Sequence, residues 1–187
     1  MALSPTLWRT ARVLAGETRL GLLRRIVAEP GQTVSRLADS MELSLPRASQ
    51  ELRRLQSRGL VQASRSGATV EYRPVPDPLV ASAKPILDAM KSALAMTPES
   101  DVSGLVAVAR AFSHVRRLAI LQELQLSPRS AVDLQRLLRM SQMAAYRHLA
   151  ILQEAGLVRR KGRAWMFDPG VHPLSTCLAR LLKASGR

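Results

Sequence analysis

The chain has 187 residues, 47% of them hydrophobic, which is enough for one or two small domains with their own cores. Lysine and arginine number 28 against 14 acidic residues, and the formal net charge of +14 favours a polyanionic partner. Only 3% of the residues are aromatic, which argues against a stacking platform for single-stranded nucleic acid. There is no apolar run of about 18 residues, no signal-peptide core and only one cysteine, so we expect a cytoplasmic protein without a membrane span.

Helical patterns and turns alternate through the first half of the chain. Ser4-Pro5 is predicted to cap a first helix, and a helical period continues through 13–27. The apolar positions of that period are Leu20, Leu23 and Val27. Pro30-Gly31 predicts a turn, and Thr33 predicts the cap of a short helix. The inward positions of the short helix are Leu37, Ala38 and Met41.

A candidate recognition helix follows in this half. Ser44 is its predicted cap, the helix reads LPRASQELRRLQSRG, and Gly59 ends it. Its inward positions are Ala48, Leu52 and Leu55. Two β-prone runs, Leu60–Ser64 and Thr69–Arg73, flank Ser66-Gly67 and predict a hairpin, or wing.

The second half begins with a polar stretch, TPESD at 97–101, which predicts a linker and a helix cap. AFSHVRRLAIL at 111–121 has a helical pattern, and Ser130 is the predicted cap of the next helix. The inward positions of that helix are Leu134, Leu137 and Leu138.

The clearest pattern lies at 141–167. Ser141 is a predicted N-cap, and Gly156 supplies a left-handed C-cap after a helix with one apolar face. That face consists of Ala145, Leu149 and Leu152. The strands Leu157–Arg159 and Ala164–Phe167 then surround a basic turn made of Lys161, Gly162 and Arg163. This order predicts a recognition helix followed by a wing.

These motifs resemble the ArsR-like winged helix-turn-helix regulators, whose recognition helix commonly reads S-Q-P-T-V-S-R-H-L before E-A-G-L-V. The matching residues are Ser141, Gln142, Arg147, His148, Leu149 and 154–158, whereas Met143, Ala144 and Tyr146 depart from the pattern. The family's A-L-A-D-P-T-R-L-x-I-L signature is matched by Leu14, Ala15, Thr18, Arg19, Leu20 and Leu23, with Gly16-Glu17 in place of Asp-Pro. The resemblance implies DNA binding, most commonly as a repressor.

The two halves correspond to each other along their length. Arg19-Leu20 matches Arg117-Leu118 at an offset of 98, and Ser44 matches Ser141 at 97. The post-wing residue Pro74 matches Pro169 at 95, so the offset changes only where loops absorb it. We therefore predict a mainly α fold with small β wings, built from two tandem winged helix-turn-helix domains at 1–96 and 97–187.

An amphipathic helix is predicted to end each copy. The two segments are Leu79–Met96, with Ile86, Leu87, Met90 and Leu94, and Val171–Lys183, with Leu174, Leu178, Leu181 and Leu182. In the ArsR-like family the first and last helices build the homodimer, so the resemblance implies that two copies pair within one chain. We favour this intramolecular pseudo-dimer because the linker is short; independent copies or dimerisation with a second chain are the alternatives.

The predicted partner is double-stranded DNA. Outward positions of the two recognition helices and the basic wings give the candidate DNA-binding residues Ser44, Arg47, Gln50, Arg54, Arg65, Ser141, Gln142, Ala144, Arg147, His148, Arg159, Arg160, Lys161 and Arg163. Glu51 is also predicted on the outward face of the first helix, where it is unfavourable near phosphate unless it accepts from cytosine. The first wing is weaker, so we expect the second copy to be the stronger reader and the site to be an imperfect palindrome.

The remaining classes have less support. No Cys or His lies in the segments 33–39 and 130–136 where many family members bind metal, and His172 and Cys177 do not share a helical face, so we expect no metal and no cofactor. Motifs of common enzyme classes are absent, so we do not expect an enzyme. A nonspecific architectural DNA binder is one alternative to a regulator. A protein-interaction module is another, with some support from Leu45 and Pro46.

Overall fold

The structure is a computed structural model that describes residues 5–67, 69–98 and 101–185. The helices are α1 (Pro5–Leu14), α2 (Glu17–Ala28), α3 (Val34–Ser40), α4 (Leu45–Gln56), α5 (Ala83–Met96), α6 (Ser103–Phe112), α7 (Val115–Leu126), α8 (Ala131–Leu137), α9 (Gln142–Glu154) and α10 (Pro173–Ser185). The strands are β1 (Gln32–Thr33), β2 (Gln62–Ser66), β3 (Thr69–Arg73), β4 (Arg129–Ser130), β5 (Val158–Lys161) and β6 (Ala164–Phe167). The prediction of a mainly helical fold with small antiparallel sheets is confirmed, and the fold is consistent with winged helix-turn-helix architecture.

Residues 13–106 form one compact unit. Within it α4 packs against α2 and α3, and the antiparallel strands lie in the order β1-β3-β2. The inward residues predicted for α4 and α5 are buried: Ala48, Leu52, Leu55, Ile86, Leu87, Met90 and Leu94. Burial of this apolar stripe is what holds α4 on the unit and leaves its other face to solvent.

The described residues within 1–12 and 107–187 form the other compact unit. There α9 packs against α7 and α8, α10 packs against α7, and the strands lie in the order β4-β6-β5. The residues Ala145, Leu149, Leu152, Leu174, Leu178 and Leu182 are buried as predicted. The two units are thus divided after residues 12 and 106, whereas the predicted repeats place the boundary at 96/97, which stays a prediction.

The same order of elements occurs in 17–96 and in 115–185, and one backbone detail recurs with it. The turns before α4 and α9 each contain a residue in the left-handed region that is not glycine: Glu42 has φ 51° and Arg139 has φ 47°. Non-glycine residues seldom adopt this conformation. Their separation of 97 residues equals the offset between Ser44 and Ser141.

Several predicted helix ends and starts are confirmed by hydrogen bonds. The side chains of Thr33 and Ser141 accept from the backbone N–H groups three residues later, and Ser130 forms a full capping box with Asp133. Gly156 has φ 66°, the left-handed conformation predicted after α9. The cap predicted at Ser4 lies outside the described residues, as do positions 99 and 100 of the predicted linker.

Other predictions of local structure were wrong. The helical period predicted through 13–27 is interrupted, because Gly16 is extended (φ −105°, ψ 121°) and forms the N-cap of α2. Leu137 is 52% exposed instead of inward, since it is the last residue of the short α8, and Met41 and Leu181 are only half-buried. The final helices begin later than predicted: Leu79 is 92% and Val171 98% exposed, and both precede the helices.

The strands also differ from the prediction at their ends. β2 and β5 begin at Gln62 and Val158 rather than at Leu60 and Leu157, because both leucines turn into the core directly after the helix. β5 extends through Lys161, which was predicted in the turn. Each sheet has a third strand of two residues, β1 or β4, which is too short to show the apolar–polar alternation by which a strand is predicted. Every helix in the described ranges is too short or too polar to span a bilayer.

Candidate nucleic-acid interface

The outward face of α9 contains several of the predicted contact residues. Ser141 caps the helix by accepting from the N–H of Ala144 at 3.2 Å, and the Ala144 side chain is half-buried rather than exposed. Gln142 and Arg147 are exposed, as predicted. A guanidinium and a carboxamide on the outward face of one helix are the groups that pair with guanine and adenine edges in the major groove.

His148 does not lie on this outward face. At about 100° per residue it is only about 40° from the buried stripe of α9, and its side chain is half-buried. Its ring centroid lies 5.0 Å from that of His114, with the ring planes at 33°. Its Nδ1 is buried and has no hydrogen-bond partner in the described structure. The placement of His148 on the outward face was therefore wrong, since the ring packs against His114, the N-cap residue of α7, and its contact with DNA stays a prediction.

The environment of His148 favours its neutral form. Burial is the largest cause, followed by the nearby charges of His114, Arg117, Arg147 and Arg116, and together they lower the pKa of His148 to about 4. The pKa of His114 is also lowered, first by burial and then by arginine charges, and its Nδ1 accepts from the N–H of Arg116 at 3.1 Å. Both rings are consequently uncharged near neutral pH and serve to hold α9 on α7.

The second wing presents basic side chains along β5 and its turn. Arg159, Arg160, Lys161 and Arg163 are all exposed, as predicted. Gly162 has φ 62°, which allows the two-residue turn between β5 and β6. Arg159 donates to Asp168 at 2.8 Å and is therefore partly neutralised, whereas Nε of Arg160 donates to the carbonyl of Gly162 at 2.9 Å. Arg160, Lys161 and Arg163 have no carboxylate within salt-bridge distance among the described residues.

In α4, Arg47, Gln50 and Arg54 are exposed as predicted. Ser44 occupies the N-cap position of α4 with extended backbone, but its side chain makes no capping hydrogen bond. Arg54 is not wholly available to a ligand, because its Nη1 lies 2.9 Å from Oε1 of Glu51.

Glu51 was placed wrongly on the outward face by the sequence pattern. It is only 7% exposed, and its Oε2 accepts from Nη1 of Arg19 on α2 at 2.8 Å. Burial raises its pKa, but the hydrogen bonds and charges of Arg19 and Arg54 outweigh burial and lower it below 4.5. Glu51 is therefore an ionised anchor between α4 and α2, and the cytosine contact considered for it is not supported by its position.

The two units anchor α4 and α9 with different residues at corresponding positions. The Nε of Arg19 donates to the carbonyl of Val13, and the Nε of Arg117 donates to that of Ala111, which matches an offset of 98 for both partners. Where the first unit has Gly16 and Glu51, the second has His114 and His148. An ion pair in one unit is thus replaced by a pair of imidazoles in the other.

The first wing is less basic than the second. Arg65 is exposed and pairs in register with Val70, while Arg73 is neutralised by Glu71 at 3.0 Å. The weaker charge predicted for this wing therefore agrees with the side-chain positions.

Sequence reasoning omitted two residues from the outward face of α9. Met143 is 71% and Tyr146 43% exposed. Met143 lies opposite the buried stripe and Tyr146 lies about 60° from Leu149, and the 100° helical step would have found both had apolar residues been considered as contacts. In the described ranges no three His, Cys, Asp or Glu side chains lie close enough to hold a metal ion. The expected absence of a metal nonetheless stays a prediction.

A comparison with protein families identifies part of this interface. A family model described as a helix-turn-helix domain matches residues 112–161, from the last residue of α6 to the end of β5. The chain therefore contains a helix-turn-helix domain, and this indicates a DNA-binding regulator. No curated protein matches the chain.

Proposed function

We propose that the chain is a sequence-specific regulator of transcription that binds double-stranded DNA through two recognition helices and their wings. Repression is the proposed mode, because it is the common mode of the ArsR-like family that the motifs resemble. No catalytic step is part of the proposal. The observation that carries it is the exposed face of α9 with Gln142 and Arg147, adjacent in sequence to a basic wing, within the matched helix-turn-helix segment.

Electrostatics supports DNA as the ligand. The net charge is +14, and Arg160, Lys161 and Arg163 are exposed without a carboxylate partner among the described residues. Such groups neutralise phosphates and release counterions, so binding should weaken steeply with salt. Phosphate contacts position the helix, while Gln142 and Arg147 supply the base contacts.

The second part of the proposal is that 17–96 and 115–185 are copies of one domain and act together on one duplex as an intramolecular pseudo-dimer. Three observations support the interpretation that the segments are copies of one domain. They are the shared order of elements, the left-handed residues Glu42 and Arg139, and the equivalent hydrogen bonds of Arg19 and Arg117. Six residues connect α5 to α6, which span at most about 20 Å. Half-sites are expected about one helical turn, or roughly 34–36 Å, apart.

The copies are not expected to contribute equally. The position of Arg147 in α9 is taken by Gln50 in α4, and the wing of the second copy has more unpaired cations. We expect Arg147→Ala to weaken binding more than Gln50→Ala. Equal losses would contradict this asymmetry.

The proposal is tested by selecting bound duplexes from a random DNA pool at near-physiological salt with wild type, Arg147→Ala and the control Gln153→Ala. Gln153 is an exposed residue near the C-terminal end of the same helix. We expect a two-part motif whose second half weakens only in Arg147→Ala. Bound but unenriched DNA would indicate the architectural binder instead, and no retained DNA would redirect the search to a protein partner.

Wing contacts are tested by the salt dependence of the affinity. Arg163→Ala should reduce the slope of log affinity against log salt by about one, the value for one lost phosphate contact. Arg159→Ala is the matched variant, and its effect should be smaller because Asp168 already neutralises this side chain. A one-to-one stoichiometry of chain to duplex, measured by sedimentation, tests the pseudo-dimer.

A further inference from the structure

The outward face of α9 combines apolar and hydrogen-bonding side chains. At about 100° per residue, Gln142, Met143, Tyr146 and Arg147 fall within an arc of about 140°. At the same step Leu149 of the buried stripe lies about 20° from Gln142, so the arc starts beside the stripe and extends away from it. The polar and apolar groups therefore meet a ligand at the same time.

Met143 and Tyr146 are not among the buried residues of the core. Met143 is 71% and Tyr146 43% exposed, and Ala145, Leu149 and Leu152 already fill the buried face of the helix. A methionine and a tyrosine that are left to solvent beside an exposed arginine indicate a surface that becomes buried on binding.

The major groove of DNA offers one apolar group to such side chains, the C5-methyl of thymine. Methionine is unbranched and adaptable, so it can follow a methyl group at several positions, and the tyrosine ring adds a flat apolar surface. Arg147 and the wing cations beyond α9 match the charge of the duplex, so duplex DNA is the occupant that fits this face.

We propose that Met143 and Tyr146 read the C5-methyl groups of thymines, so that the half-site bound by α9 contains thymine next to the bases read by Gln142 and Arg147. This inference rests on the proposed function and adds a base preference to it. The first copy has no equivalent of these two side chains, because the offset of 97 places Pro46 and a half-buried Ser49 at the corresponding positions. Methyl reading therefore distinguishes the second half-site from the first.

The test replaces thymine by deoxyuridine, which removes only the methyl group. The duplex selected by wild type is synthesised with this replacement at each thymine in turn, and affinities are measured by fluorescence anisotropy at fixed salt. The half-site bound by α9 is identified as the one at which base substitutions no longer change the affinity of the Arg147→Ala variant. Met143→Ala, Tyr146→Ser and the conservative Tyr146→Phe are compared, with Ser49→Ala as the control in the first copy. Far-UV circular dichroism confirms that each variant is folded.

We expect wild type to bind about fourfold more weakly for each methyl lost beneath α9, the factor for about one buried CH2 group. The ratio of the affinity for the thymine duplex to the affinity for the deoxyuridine duplex should fall towards one in Met143→Ala or Tyr146→Ser. It should stay at the wild-type value in Tyr146→Phe and Ser49→Ala. The inference is overturned by equal affinity for thymine and deoxyuridine, by an unchanged ratio in both loss variants, or by a selected half-site without thymine. Those results leave the proposed regulator intact, whereas a failure to retain any duplex overturns both.

Discussion

The burial of His148 and its contact with His114 predict that α9 is sensitive to acid, and His148→Gln is the change that isolates this effect. The two rings lie 5.0 Å apart between centroids, and His148 is the half-buried member on α9. Glutamine retains a polar side chain of comparable length but cannot take up a proton. The variant should therefore keep most of the packing and lose the titration.

The sign of the effect follows from the direction of the pKa change. Burial, followed by the charges of His114, Arg117, Arg147 and Arg116, lowers the pKa of His148 from 6.5 to about 4 in the folded protein. The unfolded chain therefore binds the proton more readily, and the stability due to this group is complete above about pH 6.5 and lost as the pH falls towards about 4. At 1.36 kcal/mol per pH unit the full interval is worth ~3 kcal/mol, and solvent screening of the half-buried ring reduces the expected loss to ~1–2 kcal/mol.

Two measurements check this prediction. A proton NMR titration of the imidazole Cε1–H signals, assigned by the loss of one signal in His148→Gln, gives the pKa directly. Urea unfolding from about pH 7 to about pH 4.5 gives the stability, and wild type should lose ~1–2 kcal/mol more than His148→Gln over that interval. In His114→Gln the imidazole partner is gone, so the pKa of His148 should rise. A His148 signal that titrates near its ordinary pKa, together with parallel pH profiles for wild type and His148→Gln, would refute the reasoning.

Three further changes test the packing. Glu51→Gln should lower the free energy of unfolding by ~2–3 kcal/mol in urea titrations, because it leaves the guanidinium of Arg19 without its carboxylate; Arg54→Ala, at the more exposed side of the same network, should cost under ~1 kcal/mol. Ser130→Ala removes the capping box of α8 and should cost ~1 kcal/mol, measured in the same way, with no loss counting against the cap. Arg139→Gly should instead raise the melting temperature, by the equivalent of ~0.5–1 kcal/mol, because glycine relieves the left-handed backbone at φ 47°.

Much of the local fold could be predicted because caps and apolar spacing act over a few residues. Ser130, Ser141 and Gly156 mark the ends of α8 and α9 as expected, and the apolar stripes of the recognition helices are buried. The wings were found because a glycine turn separates two β-prone runs. The break at Gly16 was missed because the apolar period continues across it while the backbone does not.

The sites were harder to predict because the outward direction of a side chain depends on its neighbours. Glu51 and His148 each lie at the border between the buried and the exposed face of their helix. Each contacts a residue distant in sequence, Arg19 for Glu51 and His114 for His148, and is therefore partly or wholly buried. A helical period locates such edge positions only to within the width of a side chain. The repeat alignment contained a further signal, since Gly16 and Glu51 change together to His114 and His148.

That paired change predicts that acid acts on α4 and α9 in different pH ranges. Glu51 has a lowered pKa, so its stabilising ion pair with Arg19 is complete above about pH 4.5 and is lost only as the pH falls through its folded pKa. His148 already loses stability as the pH falls below about 6.5. Mild acid is therefore expected to weaken the packing of α9 while α4 remains anchored. Because the proposed stronger reader is the copy with α9, sequence-specific binding should fail at a higher pH than the fold of the first copy does.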